Sequence, residues 1–137
     1  MNNTPKYWKI AKKHLSNKDK VMKLLIKKYS LPSETILTTR KDIFYSLCKS
    51  IIGQQISVAA ANSVFLKFKK KCKYKINAKN VSKLKFVQLK SCGLSKQKVK
   101  GIQSLAKQTL DKTFNPKLIS KMSDEEAILY LSELRQI

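Results

Sequence analysis

The stretch that decides the fold runs from Asp42 to Phe68 and reads DIFYSLCKSIIGQQISVAAANSVFLKF. Ile43, Leu47 and Ile51 form one row at a spacing of four, and Phe44, Cys48 and Ile52 form the row beside it. Two adjacent rows at that spacing make a broad apolar helix face. Gly53 fits the stop of this helix. Ser57 fits the N-cap of a second helix, whose stripe is Val58, Ala61, Phe65 and Phe68. Between the two lie Gln54 and Gln55. A glutamine amide buried without partners costs free energy, so their place is expected to be a tight turn between packed helices.

The same period extends over the rest of the chain. Val21, Leu24, Leu25 and Lys28 trace a stripe from Asp19, and LPSETILTTR, with Pro32, interrupts it. KKKCKYKINAKN, from Lys69 to Asn80, reads as a lysine-rich loop, and Ser82 to Leu89 as a short helix. Gly93 closes that helix, and Ser95 caps the next, whose inner face is Val99, Ile102, Ala106 and Leu110. TFNPKLISKM is a connection with a helical turn. SDEEAILYLSEL opens on a capping box, Ser123 and Glu126, with Asp124 and Glu125 at the positive end of the helix dipole. No stretch alternates strongly enough for a sheet. The expectation is an all-α bundle of roughly six or seven helices, a single domain over residues 1–137.

The formal net charge of +22 points to a polyanionic partner, nucleic acid before an acidic membrane surface. Of the 30 basic side chains only Arg40 and Arg135 are arginine. Arginine is the better bidentate reader of phosphates and bases, so the lysine excess reads either as function or as genome composition. Cys48, Cys72 and Cys92 lie far apart without a CxxC, and His14 is the one histidine. That excludes the usual zinc spacings, and no metal or other cofactor is expected. Cysteines without a secretory leader fit the reducing cytoplasm. The longest uncharged run, Ser50 to Leu66, contains Gln54, Gln55, Ser57, Asn62 and Ser63, so no membrane span is expected.

Two segments are candidates for contact with a polyanion. Gln54 and Gln55 sit at a protruding tip, and a tip glutamine offers a flat amide with both donor and acceptor that can enter a duplex. They also read as ordinary solvated turn residues. In GLSKQKVK, Lys96, Lys98 and Lys100 cluster at a helix start, where cations oppose the dipole. That arrangement suits a phosphate cradle or, in a lysine-rich chain, a solvated face.

Taken together, DIFYSLCKSIIGQQISVAAANSVFLKF, LKSCGLSKQKVKGIQSLAKQTLD and MSDEEAILYLSELRQI resemble the helix-hairpin-helix DNA glycosylases, within them the 3-methyladenine DNA glycosylase II branch. YWKIAKKHLSNKD, from Tyr7, fits the same branch. The resemblance implies base excision repair: the enzyme bends double-stranded DNA, flips an alkylated purine such as 3-methyladenine into a pocket, and hydrolyses its N-glycosidic bond. It assigns the wedge that fills the gap in the stack to Gln55, support of the loop to Gln54, and the fixing cap to Ser57. It places Lys96 and Gln97 near the strand opposite the lesion, and lets Lys98 either contact a phosphate or support the loop.

The family pattern continues past L-x-x-I with a glycine-rich phosphate-binding hairpin and, farther on, a catalytic aspartate. This chain has Gly53, Gly93 and Gly101, no GxG, and reaches Ile137 at that point. The expectation is an N-terminal part of such a glycosylase without its catalytic end, inactive alone. No catalytic residue is named among Asp19, Glu34, Asp42, Asp111, Asp124, Glu125, Glu126 and Glu133, which read as helix-start, helix-end or loop acids. Tyr7, Trp8 and Tyr45 read as packing residues before base contacts. Ile128, Leu131, Leu134 and Ile137 are expected to lack cover, giving a marginally stable chain that associates through that face. The alternatives are a non-catalytic helical DNA-binding module and a structural helical protein whose charge is compositional.

Overall fold

A computed structural model of the chain describes residues 5, 7–29, 42–135 and 137. Every regular element among them is helical, which agrees with the all-α expectation. They fall into two compact units, Met1–Lys41 and Asp42–Ile137. The interruption expected at LPSETILTTR lies outside the described residues.

The first unit is a helical hairpin, α1 (Trp8–Lys18) and α2 (Lys20–Tyr29). Asp19 makes the corner. Its backbone is extended, and its carboxylate accepts from the Val21 and Met22 amides at 2.7 and 2.9 Å. A carboxylate there satisfies orphan N–H groups and complements the positive end of α2. Trp8, Leu15, Met22 and Leu25 line a shallow groove between the helices, and neither helix has a buried residue. All four residues of the expected stripe, Val21, Leu24, Leu25 and Lys28, are exposed.

The second unit holds α3 (Ile43–Gly53), α4 (Val58–Lys71), α5 (Ala78–Ser82), α6 (Phe86–Lys90), α7 (Lys96–Leu110), a 3₁₀ segment Pro116–Lys121 and α8 (Asp124–Ser132). Asp42 caps α3 by accepting from the Tyr45 amide at 2.9 Å. α7 packs against α3, α5 and α6, and α3 also against α4. The core is Cys48, Ile51 and Ile52 of α3, Phe68 of α4, Val81 and Leu89 of the short helices, and Val99, Ile102, Leu105 and Ala106 of α7. No buried polar or charged side chain occurs among the described residues, so neither glutamine of the opening stretch is in the core.

Several local expectations are corrected. α4 runs on through Lys71, where lysines in the last turn complement the negative helix end, and Cys72 and Ile76 in the supposed loop are buried. The helix expected over Ser82–Leu89 is two helices. Asn77 starts α5 by accepting from the Asn80 amide at 2.8 Å, and Gln88 starts α6 by reaching back to the Lys85 amide at 2.8 Å. The described residues therefore contain eight α-helices and a 3₁₀ segment rather than six or seven helices. Val58 and Leu110 are exposed at stripe ends, while Val64 and Leu105 pack inward.

The last helix keeps its capping box: the Glu126 amide donates to Ser123 Oγ at 3.2 Å and the Ser123 amide to the Glu126 carboxylate at 2.8 Å. Tyr130 stacks on Phe114, ring centroids 5.2 Å apart, and its hydroxyl accepts from the Asn115 amide at 2.8 Å. Leu134 is buried and Leu131 packs on the core, so the uncovered apolar residues of this helix are Ile128 and Leu129.

Candidate nucleic-acid interface

Two turns build the candidate site. The first follows α3. Gln54 is extended at φ −59°, ψ 131°, and Gln55 is left-handed at φ 54°. The helix ends at Gly53, as the sequence predicts, and the left-handed residue follows two positions later. Gly53 remains the last helical residue, and a Cβ on it would meet only Ala61 at an ordinary 3.9 Å. The left-handed position is held by a glutamine, which pays a steric penalty that glycine would not. Gln55 and Ile56 are exposed. Ser57 then caps α4, its Oγ accepting from the Ala60 amide at 3.2 Å, as expected from the sequence.

The second turn joins α6 to α7. Gly93 has φ +96°, and a Cβ there would meet the Val64 side chain at 3.3 Å, so here a glycine is required. Leu94 plugs into the core and Ser95 caps α7, accepting from the Lys98 amide at 3.2 Å. Lys96 and Gln97 are exposed on the first turn of α7, while Lys98 is half-buried.

Lys98 joins the two turns. Its Nζ donates to the Ile52 carbonyl at 2.8 Å and to the Gln54 carbonyl at 2.7 Å. The last carbonyls of a helix lack intrahelical donors and carry the negative end of its dipole. An ammonium placed there is favourable, although the same charge opposes the dipole of its own helix α7. The lysine read as part of a phosphate cradle is thus directed at protein carbonyls.

Together the turns bound an open cleft of about 710 Å³, lined by Gln54, Gln55, Ile56, Ser95, Gln97 and Lys98, with Ile137 at its margin. Four of the six residues singled out in the sequence meet in it: Gln54, Gln55, Gln97 and Lys98. Ser57 acts as the cap behind the turn, and Lys96 stands on the exposed start of α7 outside the lining. The sequence reading did not foresee Ile56 and Ile137 as its apolar walls. An isoleucine inside a polar turn was the available signal for the first.

The remaining chemistry-bearing groups are accounted for structurally. Asp19, Asp42, Asp124, Glu125 and Glu126 sit at helix starts, and Glu133 at the end of α8. Hydrogen bonds from the Thr113 hydroxyl and amide hold the Asp111 carboxyl below the ordinary carboxylate range. Glu34 lies outside the described residues. None of the described Asp or Glu side chains lines the cleft. Tyr45 packs edge-on against Phe65, with centroids 5.3 Å apart, and Trp8 lines the groove of the first unit. The three cysteines are free and buried. Burial pushes the thiols of Cys48 and Cys92 up, and that of Cys72 up to about 11, with the neighbouring Cys92 adding to the last. Thiolates are therefore suppressed at neutral pH. Among the described residues no group of His, Cys, Asp and Glu is arranged to hold a metal, and no helix is long and apolar enough to cross a membrane.

The helical unit that carries the two turns belongs to a known class. Residues 48–134 match the HhH-GPD superfamily of base excision DNA repair proteins, and the chain is a member of that superfamily. Both turns lie inside the matched span. Among curated relatives, the chain is 31% identical over 134 residues to the alkylbase DNA glycosidase-like protein mag2 of Schizosaccharomyces pombe, covering 95% of this chain and 62% of that protein. It is 25% identical over 130 residues to DNA-3-methyladenine glycosylase 1 of the same yeast, covering 93% and 57%. The chain thus spans about three fifths of the length of these relatives. Among solved structures it superposes on the Schizosaccharomyces pombe 3-methyladenine DNA glycosylase Mag1 in complex with abasic DNA, with a TM-score of 0.77 and 25% identity, covering 93% of this chain and 63% of that one. A DNA-3-methyladenine glycosidase from Bacillus halodurans shares the fold at 18% identity, with a TM-score of 0.70 over 90% of this chain and 55% of that one.

Proposed function

We propose that this chain performs the DNA-recognition part of alkylpurine excision. It grips double-stranded DNA with its lysine surface and inserts Gln55 where a damaged nucleotide leaves the stack. The observation that carries this reading is Gln55 itself, exposed and left-handed at the tip of a turn braced on both sides. Lys73, Tyr74 and Lys112 are also exposed and left-handed, and Gln55 differs from them in lining the cleft beside the start of α7. The amide provides a donor and an acceptor for the orphaned partner base.

Gln54 shapes the turn and Ser57 fixes its exit into α4. Lys96 and Gln97, at the exposed start of α7, face the strand opposite the lesion. The net charge of +22 supplies affinity without sequence preference, through release of counterions. The solved relative bound to abasic DNA supports this role, since an abasic site is what excision leaves. The family's reaction, hydrolysis of the N-glycosidic bond of a base such as 3-methyladenine, is the activity we assign to the protein in which these residues work. Because no described Asp or Glu side chain lines the cleft, the described residues are proposed to recognise rather than to cleave. Three free, buried thiols support a reducing, cytoplasmic setting.

The test is binding to two duplexes of one sequence, one carrying a single tetrahydrofuran abasic analogue and one intact. The wild type is expected to prefer the abasic duplex by roughly tenfold, about 1.4 kcal/mol, and Gln55→Ala to lose that preference while keeping intact-duplex affinity. Equal loss on both duplexes removes the wedge assignment.

A further inference from the structure

We propose that Lys98 is a positioning residue, a strut that holds the Gln54–Gln55 turn in its binding geometry and makes no phosphate contact. The inference rests on the proposed role of that turn. Two of the three ammonium donors are already directed at the Ile52 and Gln54 carbonyls, at 2.8 and 2.7 Å. These bonds join residues 46 and 44 positions apart, whereas the cap bonds of Ser57 and Ser95 reach three residues. The carbonyls they engage flank Gly53, and the second belongs to the residue immediately before left-handed Gln55. The strut therefore acts where the chain leaves the helix and turns left-handed.

Charge placement argues the same way. A cation on the first turn of α7 is unfavourable toward that helix, and the favourable partner is the carbonyl end of α3. Reaching a phosphate would require Lys98 to abandon both bonds and leave two carbonyls of the turn without their donor. Lys96 and Lys100 are exposed on the same helix and are free of that constraint. Phosphate contact falls to them, and geometry of the turn to Lys98. The strut also ties the start of α7, with Gln97, to the tip that carries Gln55, so the two sides of the cleft are set together.

The experiment compares the wild type, Lys98→Met, Lys98→Arg and Lys96→Met on the abasic and intact duplexes across a salt series. Lys98→Met keeps the aliphatic stem and removes the donors. It is expected to cut the abasic preference roughly tenfold and to leave the salt slope unchanged, because no phosphate contact is lost. Lys98→Arg, which keeps the charge and the donors, is expected to restore the preference. Lys96→Met is expected to keep the preference and lower the salt slope by about 0.9. Lys98→Met with preference intact and a slope lowered by about 0.9 overturns the strut. A wild type without abasic preference overturns the proposed function and, with it, the part of Lys98 in recognition. Should Lys98→Met fail to fold, the wild-type ammonium decides by NMR. Lys98 Nζ resonances unmoved by duplex support the strut, and resonances that shift on binding overturn it.

Discussion

Replacing Gln55 by glycine separates the stability of the turn from its use. Gln55 sits at φ 54°, where a residue with a Cβ meets its own carbonyl at a cost of about 1–2 kcal/mol. Glycine removes that cost but brings a freer unfolded chain, worth about 0.4–1 kcal/mol in the opposite direction. The side chain is exposed, so little packing is lost. Gln55→Gly is therefore expected to raise stability by up to about 1.6 kcal/mol, a rise in Tm of at most roughly 8 °C for a unit near 100 residues. The same variant has no side chain to fill a gap in a duplex and is expected to bind abasic and intact DNA equally. The assays are thermal or urea unfolding followed by circular dichroism, and fluorescence anisotropy on the two duplexes. A Gln55→Gly protein that is destabilised by more than 1 kcal/mol, or that keeps its abasic preference, refutes the reasoning.

Two further outcomes follow from the backbone and the core. Gly93→Ala places a Cβ 3.3 Å from Val64 at φ +96° and is expected to cost about 1–3 kcal/mol, read as a lower urea midpoint. Cys72 holds its proton up to about pH 11 in the fold, against an ordinary value of 9.0. Between those values the unfolded chain binds fewer protons than the native one, so stability falls as pH rises, by about 2–3 kcal/mol across the window, and is fully present below pH 9. Melts from pH 8 to 11 are expected to show a shallower decline in Cys72→Ala than in the wild type.

Helix identity and helix starts were legible because their causes are local. Asp42, Ser57, Ser95 and Ser123 each accept a bond from an amide three residues on, and that chemistry is visible in a short window. The short helices α5 and α6 were not legible as a pair, since five residues hold little more than one turn and show no period. Lysines also masked the inward Cys72 and Ile76. At the site, the two turns and their glutamines were legible, but the residue in the left-handed position was not. The helix stops at Gly53 as read, but the left-handed residue falls two places later, at Gln55, where no local signal marks it. The target of Lys98 lies 44 and 46 residues away along the chain, where no spacing rule reaches.

The central claim is that Gln55 enters the duplex at the gap, and disulfide crosslinking tests it most directly. Cys48, Cys72 and Cys92 are buried, so Gln55→Cys provides an accessible thiol where the native three do not. The partner is a duplex carrying a thiol-tethered base opposite an abasic analogue, and Leu129→Cys, exposed on α8, is the control. The account predicts rapid crosslinking of Gln55→Cys to the tether at the gap, little when the tether is moved several base pairs away, and little for Leu129→Cys at either place. Equal yields at both tether positions, or from both variants, contradict it.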